Sequence, residues 1–181
     1  MTRQVAGRLM VKKLMPAETP TVIEETLVRV GDTVQSRSDT EVELRLVDGS
    51  IVELGPNTTL QVVDISLEAG RGQLYHSAGT VRLAVRSLLS WELDTRTLRI
   101  LPRLEATDLT VEVGDGMTRV AVADGAVVAR RGERAMAVRT GEVLEADAGG
   151  TLVLWPAATA TKSPTVLASV TQLPTATRPP R

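Results

Sequence analysis

The stretch VELRLVDGSIVELGPNTTL, residues 42–60, decides the fold. Val42, Leu44 and Leu46 alternate with Glu43 and Arg45, and Val52 and Leu54 flank Glu53. A period of two is the mark of a strand with one buried and one wet face. Asp48-Gly49 supplies a turn between the two runs, and Pro56-Asn57 punctuates the exit. Register selects among turns. A two-residue loop at Asp48-Gly49 pairs Leu44 with Glu53, an apolar face against a charged one. A three-residue loop, Val47-Asp48-Gly49, with Gly49 in the left-handed region, sets Leu44 opposite Val52 and Val42 opposite Leu54. A hairpin turning through a bulge is therefore expected.

Composition extends this reading outward. Hydrophobic residues make up 43% of the chain but aromatics only 2%, so Val, Leu, Ile and Ala must fill the core. β-branched residues suit a pleated, half-buried surface, and the 14 glycines provide corners. Between residues 20 and 155 no three-to-four periodicity lasts longer than a turn or two. The chain reads as all-β, made of short antiparallel strands, and sandwich, barrel and wound roll all fit. Gly31, Gly49, Gly79, Gly125, Gly141 and Gly150 precede short apolar runs at irregular spacings, which argues against a strict solenoid repeat.

Three segments follow from charge and composition. Residues 1–19 form a basic extension in which Val5, Leu9, Met10 and Leu14 are expected to line one side of a short helix ended by Pro16, or to fray. Residues 20–155 form the β-domain, with 14 basic and 21 acidic residues. Residues 156–181 hold five prolines, six threonines and no acid, the composition of an extended stalk. No apolar run approaches the roughly 15–20 residues of a membrane span or signal peptide. The sequence sets no oligomeric state.

The same counts narrow the chemistry. An acidic β-domain without an aromatic platform is a poor nucleic-acid binder, and Arg130-Arg131 reads as solvated strand-end charge. Cysteine is absent, which removes disulfides and thiol chemistry. His76 is the single histidine, no Gly-x-Ser-x-Gly elbow accompanies it, and it reads as a surface or turn residue. One histidine cannot build a multi-histidine metal site. Gly114-Asp115-Gly116 and Asp124-Gly125 lack calcium-loop spacing and read as turns. Neither catalytic residues, nor a metal, nor a cofactor is expected.

These residues also resemble a known family. Gly31-Asp32-Thr33-Val34, then Val42 through Asp48-Gly49-Ser50, Val52, Leu54, Pro56-Asn57-Thr58 and Leu60 resemble the core of the FecR domain, found in ferric-citrate-type signalling regulators. Ala78-Gly79-Thr80-Val81, the strand around Gly125 and Thr140-Gly141-Glu142 match its later strands. The family's Arg-Gly-Thr after a mid-domain proline is missing at Pro102-Arg103-Leu104. The resemblance spans residues 28–155 and implies a wound β-roll. It also implies a non-enzymatic, extracytoplasmic sensing and interaction module with a protein partner in the membrane or envelope. The alternative is a cell-envelope scaffold that presents a β-domain on its stalk and contacts glycan.

Overall fold

The computed structural model describes residues 4–13, 21–103 and 106–157. The strands are β1 (Val5–Lys13), β2 (Thr21–Arg29), β3 (Thr33–Gln35), β4 (Thr40–Leu46), β5 (Ile51–Leu54), β6 (Thr59–Ser66), β7 (Arg71–Ala84) and β8 (Ser90–Asp94). They continue as β9 (Arg99–Pro102), β10 (Asp108–Gly114), β11 (Met117–Asp124), β12 (Ala126–Arg131), β13 (Arg134–Arg139), β14 (Glu142–Asp147) and β15 (Leu152–Pro156). The fold is all-β. One ladder runs β2-β1-β4-β5-β7-β10-β11-β14-β15 and the other β3-β6-β7-β8-β9-β12-β13. β7 belongs to both: residues 71–78 pair in the second ladder and 79–84 in the first. The pairings are antiparallel, as expected, except β7 with β8, which is parallel. Inward side chains of both ladders merge into one buried cluster, from Leu9 and Leu44 to Ile100 and Val138.

The deciding hairpin forms as its register requires. Val42 faces Leu54 and Leu44 faces Val52. Leu46 N–H donates to the Ser50 carbonyl at 2.9 Å, so Val47-Asp48-Gly49 is the loop, and Gly49 has φ +86°.

Residues 5–13 are not a helix. β1 lies between β2 and β4, with Leu9 opposite both Thr26 and Leu44. Ala6 and Leu9 are buried, and a Cβ on Gly7 would overlap the Arg45 carbonyl, so only glycine lets β4 approach here. Nine residues can satisfy a helical and an extended period at once, and pairing on both sides decides for the strand. The Thr/Pro segment lies outside the described residues except for Pro156, which closes β15 opposite Glu142, and Ala157.

The corner glycines mark a repeat. Gly31, Gly79 and Gly125 are 48 and 46 residues apart, with φ of +92°, +86° and +84°. At each, the chain leaves one ladder and enters the other. Between successive corners come two strands joined by a hairpin (β4-β5, then β8-β9) and a second antiparallel pair (β6 with the first part of β7, then β10 with β11). Leu60 opposite His76 in the first repeat corresponds to Leu109 opposite Val122 in the second. Gly49, Gly141 and Gly150 serve other turns, which is why the spacing of all six looked irregular.

Candidate functional site

Most residues of the family-like pattern sit at corners. At the Gly79 corner Thr58 lies beneath the glycine: Thr58 Oγ1 accepts from Thr80 N–H at 2.9 Å, and a Cβ on Gly79 would overlap the threonine. Thr58 N–H donates to Ser36 Oγ at 2.8 Å, while Pro56-Asn57 makes the bend, with Asn57 at φ +54°. Gly125 repeats the arrangement over Thr107, where a Cβ would lie 2.8 Å from Thr107 Oγ1. Gly31 N–H donates to the Val62 carbonyl and Gly141 N–H to the Val122 carbonyl. Asp32 and Glu142 accept from the amides three residues earlier, Arg29 and Arg139. Leu54 is a core residue.

Asp48 and Ser50 join two segments far apart in sequence. Asp48 Oδ2 accepts from Ser50 Oγ (2.8 Å), Ser87 Oγ (2.5 Å) and Trp91 Nε1 (2.9 Å). Ser50 Oγ accepts from Arg86 N–H at 3.1 Å. Trp91 is the largest buried side chain and covers Gly72, where a Cβ would lie 2.5 Å from the indole. Its N–H would be an unmet buried donor without Asp48. These groups bond to one another.

His76 is not a surface residue. It is fully buried on β7, its Nε2 bonds to the Ala78 carbonyl at 3.0 Å, and its Nδ1 has no partner. Burial pushes the imidazole down to about 4, against smaller upward pulls from the Ala78 and Gly79 backbone. It is neutral at pH 7, and among the described residues no carboxylate or nucleophile is bonded to it.

Among the described residues no group of three or more His, Asp or Glu could hold a metal. A 220 Å³ hollow beside β4 and β5 is bordered by Glu43, Glu53 and Arg82, whose charges are already paired. Glu92 is raised by desolvation and by Asp94, yet Gln73 Nε2 and Arg99 hold both carboxylates on an open face. Among the described residues no helix is long and apolar enough to cross a membrane.

The first ladder ends at β15. β15 pairs with β14 on one side, and among the described residues no strand pairs with its other side. Asp147 N–H to the Thr151 carbonyl and Ala157 N–H to the Gly141 carbonyl fix the alternation. Leu152 and Leu154 therefore turn their N–H and C=O groups outward. Leu154 and Trp155 are 37% and 40% exposed on this strand, an apolar pair beside open backbone groups. The run Leu152-Val153-Leu154-Trp155 was the sequence signal for it, one that did not stand out beside the Thr/Pro segment.

The described residues form a two-ladder all-β roll with glycine corners and an edge strand that carries two exposed apolar side chains. The FecR protein family matches residues 32–128, more than half of the chain, and this chain belongs to that family. FecR proteins are signalling regulators rather than enzymes as a class. Two crystal structures of a "putative anti-sigma factor" from Parabacteroides distasonis ATCC 8503, at 2.50 and 1.65 Å, share the fold. Each superimposes with a TM-score of 0.61 at 15% identity, covering 69% of this chain and 59% of that one. This chain thus spans about three-fifths of their length. No curated protein matches the sequence.

Proposed function

We propose that this chain is a non-enzymatic, extracytoplasmic sensing and protein-interaction domain of a transmembrane signalling system that regulates a sigma factor. Family membership supports the regulatory role. The observation that carries the interaction is the open edge of β15, where outward backbone groups adjoin Leu154 and Trp155. An extended segment of an envelope protein adds there as a further strand, its backbone giving affinity and the two side chains giving selectivity. Exposed edges are normally blunted by charge or covered, and this one carries an aromatic anchor of the kind that dominates interfaces.

The test is a photocrosslinking amino acid at Val153, compared with and without Leu154→Pro. Proline removes the outward N–H together with the leucyl side chain, both on the proposed contact edge, and leaves the bonds to β14 intact. Crosslinks to an envelope protein that disappear with Leu154→Pro, at unchanged melting temperature, are expected. Crosslinks that persist in Leu154→Pro, or that mark only cytoplasmic proteins, would sink the reading.

A further inference from the structure

The opposite end of the roll breaks a packing rule. On the outer face of the second ladder Arg130 of β12 stands directly opposite Arg99 of β9. Like charges at such a cross-strand position are destabilising. Arg99 is compensated by Glu92 and Asp94, each 3.1 Å from its Nε. Arg130 is not: among the described residues it has no carboxylate partner. Arg96, on the adjoining β8-β9 turn, also has none among the described residues. Arg131 is held in place by the carbonyls of Asp147 and Ala148. Arg96, Arg99, Arg130 and Arg131 all border one cleft of about 400 Å³, with Asp94 the one carboxylate residue of its lining. In a domain whose charge is otherwise acidic, this is a concentrated positive site. A local rule broken without local compensation marks a site used for something else.

We propose that this cleft binds an acidic peptide segment, its carboxylates bridging Arg130 and Arg96. Three observations select that chemistry. The arginines are spread over two strands and a turn instead of converging on one point, which fits successive carboxylates taken up by planar forks. The turn offers no backbone cradle for a compact phosphate, because the amides of Thr97 and Leu98 both donate to Thr95 Oγ1. None of the chain's aromatic rings lines the cleft, so bases and sugar rings find no stacking platform. A neighbouring depression of about 490 Å³ shares Arg96 and Arg131 and adds Val113, Met117 and Ala148, room for an apolar side chain beside the acids. Asp115 also borders that depression and disfavours a second carboxylate there.

This site is separate from the β15 edge, and its test is independent of it. Fluorescence anisotropy of the full chain is measured with a labelled Glu-Glu-Leu-Glu-Glu peptide, with oligogalacturonate of equal charge and inorganic phosphate as competitors. The double variant Arg96→Gln/Arg130→Gln is expected to weaken the peptide by about tenfold or more, as lost charged hydrogen bonds imply. Its melting temperature should stay level or rise, because a like-charge pair is relieved. The control Arg8→Gln/Arg45→Gln should bind as the unaltered chain does. The proposal is overturned if the unaltered chain fails to bind the peptide, or if the control loses as much affinity as the cleft variant. It is also overturned if phosphate or oligogalacturonate displaces the peptide at equal charge concentration, or if Arg130→Gln alone lowers the melting temperature.

Discussion

The repeat from Gly31 to Gly79 and the repeat from Gly79 to Gly125 trace the same path with different chemistry along it. Both end on a left-handed glycine seated over a buried threonine, Thr58 in one and Thr107 in the other. Both place alternating apolar residues inward. Their hairpins differ. The first is tied by Asp48 forward to Ser87 and Trp91 in the next repeat, whereas the second is tied by Thr97 Oγ1 to Thr118 Oγ1 within its own repeat, with Thr95 Oγ1 taking the amides of Thr97 and Leu98. Their interiors differ too, with His76 where the second repeat has Val122. What recurs, corner and alternation, makes the roll. What varies links the repeats, since the Asp48–Trp91 bond joins the first hairpin to β8, the first strand of the second hairpin.

The corner comparison is the sharpest to test. Gly79→Val should destabilise by about 4 kcal/mol or more, combining a forbidden φ with a clash against Thr58 and Asn57 backbone. Gly125→Val meets slightly looser neighbours, Thr107 Oγ1 at 2.8 Å and the Ala106 carbonyl at 3.0 Å, and should cost about 3 kcal/mol. Denaturant melts of both variants check the order, and a mild effect at either corner breaks the equivalence of the repeats.

His76 comes next. Its folded pKa is depressed to about 4 from 6.5, with burial the main cause. The stability it permits is complete above pH 6.5 and declines as the unfolded chain takes up the proton. By pH 4 the loss reaches about 3 kcal/mol. His76→Val copies the second repeat, so its stability should fall less steeply between pH 6.5 and 4 than that of the unaltered chain. Parallel pH profiles would show the imidazole already solvated.

The smallest effect is expected at Gly49. No atom lies within 4 Å of a Cβ there, so Gly49→Val carries conformational strain alone, about 1–2 kcal/mol. A cost equal to that at Gly79 would mean that φ, and not the threonine seat, governs the corners.

The first hairpin was legible to the residue pair because alternation and a constrained turn leave one register in which no charge faces the core. Corner residues such as Gly79 and Gly125 were visible as glycines, but not as a repeat, because turn glycines look the same in sequence. β1 was misread since Val5, Leu9 and Met10 fit a helix until β2 and β4 claim both sides of the segment. His76 was misplaced for a related reason: a polar residue at an inward position shows only once its partner, Leu60, is known. The arginine cleft brings together residues about thirty apart, Arg96 with Arg130, and only the β9–β12 pairing makes them neighbours.

β7 carries a consequence for how the molecule comes apart. Its fourteen residues are one continuous strand, yet the first part hydrogen-bonds within one ladder and the second within the other. Opening either ladder at its centre pulls on the register of the other through a covalent backbone. Local fraying is therefore confined to the outer strands, and the amides around Val81 and Leu74 exchange with solvent only when the whole domain opens.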